Sequence, residues 1–280
     1  MSEEKQGKIK WRFHSKDGEE LFAYAFPSEN PPKAVICLVH GHGEHIQRYE
    51  HLAKALNQAD YSMVGFDHRG HGQSAGKRGH TPSYETLLDD IDAFLTEIRE
   101  YHPNVPYFLY GHSMGGNLVL NYALRRNPEL KGVISTSPWI KLAFEPPAIQ
   151  VFMGKVMDKI FPAFIQSSGL ATTNLSRDPE VVRAYEEDPL VHDKISARLF
   201  VAMYESGLWA LEHASEFPLP LYLVHGSADK ITSAAASREF AEKAGDKVTL
   251  KIWEGFYHET HNEPEKEEVF KSLIAWLDAQ

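Results

Sequence analysis

The sequence predicts an α/β protein: a mostly parallel central sheet flanked by helices, with an inserted, mainly helical lid. Three observations carry this reading. Short, wholly apolar segments such as AVICLVH (34–40) alternate with longer segments whose apolar residues recur at helical spacing, as in 84–101. Continuous apolar runs are what strands covered on both faces require. The rhythm breaks once, over 139–212, and resumes afterwards. A chain of 280 residues is long enough to bury a large core around such a sheet.

Taken in order, 8–14 (KIKWRFH) and 20–26 (ELFAYAF) alternate well enough to form an antiparallel pair, with Asp17-Gly18 as the turn. PSENPPK (27–33) reads as a loop, and 34–40 as the first strand covered on both faces. A helix is expected over 47–58 and a strand over 62–67, followed by the glycine- and histidine-rich loop 68–80. In 84–101, Leu87, Leu88, Ile91, Phe94, Leu95 and Ile98 fall on one helical face. Strand 106–110, helix 117–126 and strand 132–138 continue the alternation. Pro146, Pro147, Pro162 and Pro179 then interrupt it among apolar clusters, so 139–212 reads as the lid. Strand 219–225, helix 233–245, strand 247–254 and helix 265–279 close the chain. The expected organisation is a core in two parts, 1–138 and 213–280, with a cap over 139–212 between them.

Composition narrows the function classes. The net charge of −10 disfavours a phosphate backbone, and no basic stripe offsets it, so no nucleic-acid partner is expected. Cys37, alone of its type, excludes an internal disulfide and lies in an apolar run that suits a buried, inert thiol. The polar start MSEEKQGKIK resembles no signal peptide, and no apolar run approaches the roughly 20 residues that span a bilayer. A soluble, cytoplasmic protein is the expectation; the oligomeric state is left open.

Chemistry concentrates around GHSMG (111–115), between a strand and a helix. A sharp strand-to-helix turn lifts the hydroxyl of Ser113 clear of the sheet, and the helix N-terminus offers amides to a developing oxyanion. The competing reading makes Ser113 a simple N-cap. A serine needs a base, and two later strand ends supply partners: Asp229 in HGSADKIT and His258 in GFYHET. Glu254, Glu259 and Glu263 are alternative acids; Asp229 is preferred because it sits on its own loop after a strand, whereas Glu259 adjoins His258. A second oxyanion donor is expected from the loop HGHG (40–43), the amide of His42 pairing with that of Met114. His40, His42, His45, His68, His71 and His80 lack the spacing of a metal site and read as a hydrogen-bond network with Asp67 and Arg69. GxxxxGK[ST] is missing, and no cofactor is expected.

Together, HGHGEHIQRY (40–49), GFDHRGHGQSAGKRGH (65–80), GHSMGG (111–116), NLSRDPEVVRAYEEDPLVH (174–192), HGSADKITS (225–233) and YHETHNEPE (257–265) resemble the monoacylglycerol lipase and lysophospholipase branch of the α/β-hydrolases. The resemblance covers about 34–280. It implies the α/β-hydrolase fold, Ser113, Asp229 and His258 as a catalytic triad, an oxyanion hole from the amides of His42 and Met114, and the segment before Asp188 as part of a cap over an acyl tunnel. The bulky His42 would narrow the entrance. Thr232 takes the place of a cysteine near the glycerol end of the mammalian enzymes, so thiol reagents should not act there. The implied substrate is a small lipid ester, with Glu44, Ile149, Phe152, Tyr185 and Thr232 as candidate contacts.

The lid's apolar residues, among them Ile149, Phe152, Met153, Met157 and Phe164, admit two readings: a small core of its own, or an acyl channel partly facing a lipid surface. Transient membrane contact through the cap follows from the second. Rival activities are a lysophospholipase, a general carboxylesterase, and an aminopeptidase using Glu44, Glu145 or Glu205 to hold an ammonium group. A non-catalytic binding protein is the rival from another class.

Overall fold

A computed structural model describes residues 9–101 and 103–280. The expected strand residue Lys8 and the polar start of the chain lie outside them. Strands β1 (Ile9–His14) and β2 (Glu20–Phe26) pair antiparallel, with Phe13 opposite Leu21. The core then alternates: β3 (Ala34–Val39), α1 (Glu50–Gln58), β4 (Tyr61–Phe66), α2 (Tyr84–Tyr101), β5 (Tyr107–His112), α3 (Met114–Arg126) and β6 (Gly132–Thr136). The insert holds α4 (Ala148–Ile160), β7 (Ile165–Ser167), α5 (Pro179–Glu187), β8 (Lys194–Ser196) and α6 (Ala197–Glu212). Strand β9 (Leu221–Gly226), α7 (Ala234–Ala244), β10 (Val248–Trp253) and α8 (Lys266–Asp278) complete the sheet and its cover.

Eight strands form one sheet in the order β1-β2-β4-β3-β5-β6-β9-β10. All neighbours from β4 to β10 run parallel, and β1 and β2 add an antiparallel edge. The apolar runs explain this directly. Val35, Cys37 and Val39 point to one face, where α2, α3, α6 and α7 pack; Ile36 and Leu38 point to the other, covered by α1 and α8. Each residue of β3 therefore leaves water on one side or the other, at about 25 cal/mol per Å² of apolar area. All six apolar residues expected on one face of α2 are buried. Cys37 is fully buried, and burial pushes its thiol far up, which keeps it inert.

Three boundaries differ from the sequence reading for physical reasons. Helix α3 begins at Met114 rather than 117, because its glycine-rich first turn is fixed by packing that propensity does not report. Strand β6 stops at Thr136, where Ser137 turns to a φ of 43°. Inside the insert, β7 and β8 form a small antiparallel pair, Ile165 opposite Ser196, that was not expected. Three-residue polar strands carry no periodic signal, and their pairing spans thirty residues of chain.

The insert is not a self-contained core. Helix α4 has no buried residue, and its Gly154 lies against Phe200 and Val201 of α6. Helix α6 instead sends Leu199, Met203, Ala210 and Leu211 into the same apolar cluster as α3. Among the described residues, no helix is long and apolar enough to cross a membrane.

Candidate active site

Ser113 stands alone between β5, which ends at His112, and α3, which starts at Met114. Its backbone adopts φ 54° and ψ −111°, a conformation that costs a non-glycine residue about 1–3 kcal/mol. Three backbone bonds hold it there: Ser113 N donates to Thr136 O at 3.0 Å, while Asn117 N and Trp139 N both donate to Ser113 O at 3.0 Å. The close approach depends on Gly115, since a Cβ there would lie 1.9 Å from the carbonyl oxygen of Val39. The Ser113 side chain makes no capping bond to α3, so the N-cap reading fails. Its hydroxyl is left to a cavity of about 760 Å³ that Ser113 and His258 both line.

Behind His258 lies Asp229, on the loop after β9. The Nδ1–H of His258 donates to Asp229 Oδ2 at 2.7 Å. Asp229 Oδ1 accepts the amides of Ile231 at 2.7 Å and Thr232 at 3.1 Å. Burial works against the carboxylate, but the charge of His258 and the bonds from His225 and His258 hold it well below the usual carboxyl range. Burial also works against a charged His258, and Asp229 outweighs it, so the imidazole stands above its ordinary value. With Nδ1 committed to Asp229, Nε2 is the basic nitrogen left for chemistry. The loop bearing His258 is fixed by the insert, which accepts the amides of His258 at Asn174 O, 3.5 Å, and of Glu259 at Leu175 O, 2.8 Å. Ser137 Oγ donates to His258 O at 2.7 Å.

The loop after β3 carries the second expected amide. Neither His42 N nor Met114 N is taken by a backbone carbonyl among the described residues, and both residues border Ser113 or its cavity. Gly43 shapes this loop with a φ of 76°; a Cβ there would meet His192 O at 2.4 Å. Met114 opens α3, so its amide has no intrahelical acceptor.

Glu44 does line the cavity, yet its carboxylate is fully engaged. Oε1 accepts Gly41 N at 2.6 Å and Tyr49 OH at 2.7 Å, and Oε2 pairs with Arg48 at 2.6 Å. Arg48 in turn grips Glu259 with two bonds of 2.8 Å and lies 4.7 Å over the ring of Tyr185. Burial opposes both anions; Arg48 outweighs it at Glu259, which sits well below the usual range, and fails to at Glu44, which is raised. Sequence reasoning set Glu259 aside and did not single out Arg48. The available signal was the i, i+4 spacing of Glu44 and Arg48 inside GEHIQRY.

This cluster predicts a stability effect. Arg48→Met should cost about 3–5 kcal/mol at neutral pH, because two buried carboxylates lose the guanidinium that pairs with both. Without Arg48, burial raises the folded-state pKa of Glu259 above its unfolded value. Such a group favours the fold at low pH and loses that contribution as pH rises, so the deficit should shrink toward pH 4. Urea unfolding of both proteins at pH 7 and pH 4.5 measures it; a deficit below 1 kcal/mol, or one independent of pH, contradicts the assignment.

The remaining expected contacts divide. Tyr185, on α5, and Thr232 both line the cavity. Thr232 is buried, with Oγ1 2.9 Å from Asp229 Oδ2 and 3.0 Å from Ser137 O, so its hydroxyl braces the acid. Ile149 and Phe152 do not reach the cavity. They are 65% and 60% exposed on the outer side of α4, while Gln150, Met153, Gly154 and Met157 form its inner wall. The helix is apolar on more than one face, and sequence alone did not fix which stripe turns inward. The cavity wall beyond α4 is also largely apolar, with Leu142, Phe164, Leu170 and Ile195.

The hydrogen-bond network expected of these histidines forms only in part: among the described residues, neither ring nitrogen of His42 has a hydrogen-bond partner, and the side chains of Asp67 and Arg69 bond to no histidine. His68 N donates to His40 Nε2 at 2.9 Å, and His68 Nε2 to His40 O at 3.0 Å. The rings of His42, His71 and His192 pack with centroids 4.6 to 5.7 Å apart. His45 pairs with Asp188 at 2.8 Å and His80 with Ser196 at 3.0 Å, tying both loops to the insert. Asp67 accepts the amides of Ile46 and Gln73, and Arg69 pairs with Asp90 and Asp17. Burial holds His42 down at about 3 and His68 at about 4, so both are neutral.

Comparison with known proteins bears on the family and the fold. A family profile described as Hydrolase_4, serine aminopeptidase, S33, matches residues 30–265. An uncharacterized abhydrolase domain-containing protein of Dictyostelium discoideum is 38% identical over 264 residues, 93% of this chain; the chain spans 28% of that protein's length. A monoacylglycerol lipase of Mycolicibacterium smegmatis is 34% identical over 251 residues, 89% of either chain. The crystal structure of Paleococcus ferrophilus monoacylglycerol lipase matches with a TM-score of 0.85 at 37% identity, covering 92% of this chain and 98% of its own. The chain belongs to the serine aminopeptidase S33 family, within the monoacylglycerol lipase branch of the α/β-hydrolase serine hydrolases.

Proposed function

We propose that the protein hydrolyses monoacylglycerols to fatty acid and glycerol through an acyl-enzyme on Ser113. One observation carries the reading: a largely apolar cavity of about 760 Å³ opens onto a serine backed by a hydrogen-bonded His258–Asp229 pair. In this scheme His258 Nε2 takes the hydroxyl proton as Ser113 Oγ attacks the ester carbonyl. The amides of His42 and Met114 receive the oxyanion of the tetrahedral intermediate. Collapse releases glycerol, protonated by His258, and leaves the acyl group on Oγ. His258 then deprotonates a water that attacks the acyl-enzyme, and returns that proton to Ser113 Oγ as the fatty acid leaves.

The acyl chain would lie along Met153, Met157 and Phe164, which supply apolar contact at about 0.8 kcal/mol per buried CH₂. The outward face of α4, with Ile149, Phe152 and Ile160 exposed, would rest on a lipid surface and place the cavity mouth near its substrate. An aminopeptidase needs a free acidic group, and the three candidates argue against one. Glu44 is bonded to Gly41, Arg48 and Tyr49, Glu205 pairs with Lys155, and Glu145 is exposed.

The test compares kcat/KM for monoacylglycerols of C4 to C16, lysophosphatidylcholine and amino-acid anilides, all below aggregation concentrations. Monoacylglycerols should be turned over fastest; faster anilides would overturn the reading. Met157→Ala should reduce the preference for C16 over C4 by about 1–2 kcal/mol, within the range an apolar pocket discriminates. Phe152→Ala should leave that ratio unchanged and weaken binding to phospholipid vesicles instead. The reverse pattern would place Phe152, not Met157, on the acyl path.

A further inference from the structure

The acid behind His258 is held from two sides. Asp229 Oδ2, which accepts His258 Nδ1–H, also lies 3.1 Å from Nε2 of His225, four residues earlier on β9. His225 is fully buried and does not line the cavity. Its Nε2 faces a second acceptor, Thr232 O at 3.3 Å, so this nitrogen carries the hydrogen. On the far side of the ring, Nδ1 sits 2.8 Å from Ser237 Oγ of α7, which fixes the orientation. The ester hydrolysis proposed above, on which this inference rests, gives His225 no role.

We propose that His225 is a positioning residue that tunes the base strength of His258 by donating Nε2–H to the carboxylate oxygen His258 itself uses. Each donor added to a carboxylate oxygen leaves less of its charge for the others. His225 thus weakens the hold of Asp229 on a protonated His258, so the base is free at a lower pH than Asp229 would allow with Thr232 Oγ1 alone beside His258 on Oδ2. A base whose pKa lies near the working pH is the more effective one. The low proton affinity of Asp229 agrees with this crowding of donors.

Other charged or titratable groups also face His258. Glu259 and His261 share its loop, the ring of His112 on β5 lies 4.8 Å away, and Glu44 and Arg48 approach from the loop after β3. None of them touches His225, so a change at position 225 leaves their contributions in place.

The experiment is the pH dependence of kcat/KM for a water-soluble p-nitrophenyl ester in the native protein, His225→Leu and His225→Gln. Leucine fills the space without a donor. Glutamine, with the same number of bonds from Cβ to Nε2, restores an N–H at the carboxylate. The acid limb reports the protonation of His258, because only the neutral imidazole accepts the serine proton. In His225→Leu it should move to higher pH by about half a unit to one unit, with a three- to tenfold loss at pH 6. His225→Gln should return the limb to the native position. A leucine limb that overlays the native one, or equal shifts in both variants, overturns the proposal. Should His225→Leu fail to fold by thermal unfolding, Ser237→Ala keeps the imidazole and removes its anchor. It should move the limb the same way by less, and an unmoved limb is equally decisive against the idea. Loss of the native protein's own serine-dependent esterase activity would instead sink the parent reading, and the two failures are distinguishable.

Discussion

Ser113→Ala is expected to lower kcat for monoacylglycerol hydrolysis by about 10⁴-fold or more, since removing a nucleophile leaves only what the oxyanion amides and substrate binding contribute. The fold should not notice. The Ser113 side chain makes no capping bond, and alanine is no more strained than serine at a φ of 54°. The unfolding free energy should therefore stay within about 0.5 kcal/mol of native, as for substitutions that break no buried interaction. Residual turnover near the native rate, in a protein that still melts normally, would move the chemistry to another group.

Asp229→Asn should be nearly as severe, at about 10⁴-fold in kcat, for a reason specific to this site. Oδ2 of Asp229 meets His258 Nδ1–H at 2.7 Å, His225 Nε2 at 3.1 Å and Thr232 Oγ1 at 2.9 Å, while Oδ1 accepts two amides. An asparagine amide offers one oxygen and one NH₂ to this ring of donors. If the oxygen faces the amides of Ile231 and Thr232, the NH₂ points at His258 and favours the tautomer with the hydrogen on Nε2. That tautomer cannot accept the serine proton. Glu259→Gln, beside His258 but bonded to Arg48, should lose stability more than kcat and so separates the two acids. Equal kcat losses in both variants would undo the assignment of Asp229.

Much of this architecture is legible in the sequence, because the physics that sets it is local. Helix α2 runs over the expected 84–101, since six apolar residues at helical spacing demand one buried face. The strand β3 reads as apolar throughout because both of its faces are covered. Ser113, Asp229 and His258 each follow a strand end, and parallel strands bring such ends to one edge of the sheet. What stays hidden is set by tertiary contact. The phase of α4 depends on which apolar stripe meets Phe200 and the cavity, so Ile149 and Phe152 read as well as Met153 and Met157. The β7–β8 pair joins polar residues far apart in the chain. Arg48 looks like a surface arginine until its two carboxylate partners, one of them 211 residues away, are brought beside it.

The insert does more than cover the cavity. Its backbone accepts the amides of His258 and Glu259, and His192 N donates to Gly43 O at 3.0 Å in the loop after β3. Ligand-driven movement of the insert would therefore act on both the His258 loop and the loop bearing the proposed oxyanion amide of His42, a coupling carried by named hydrogen bonds.

The central claim, that the apolar cavity delivers an acyl ester to Ser113, is tested most directly by peptide mapping after reaction with a long-chain alkyl fluorophosphonate. One adduct is expected, on Ser113, formed more slowly when mono-oleoylglycerol competes for the cavity and absent from Ser113→Ala. An unlabelled native protein, an adduct on any other residue, or labelling at Ser113 that the monoacylglycerol does not slow would contradict it.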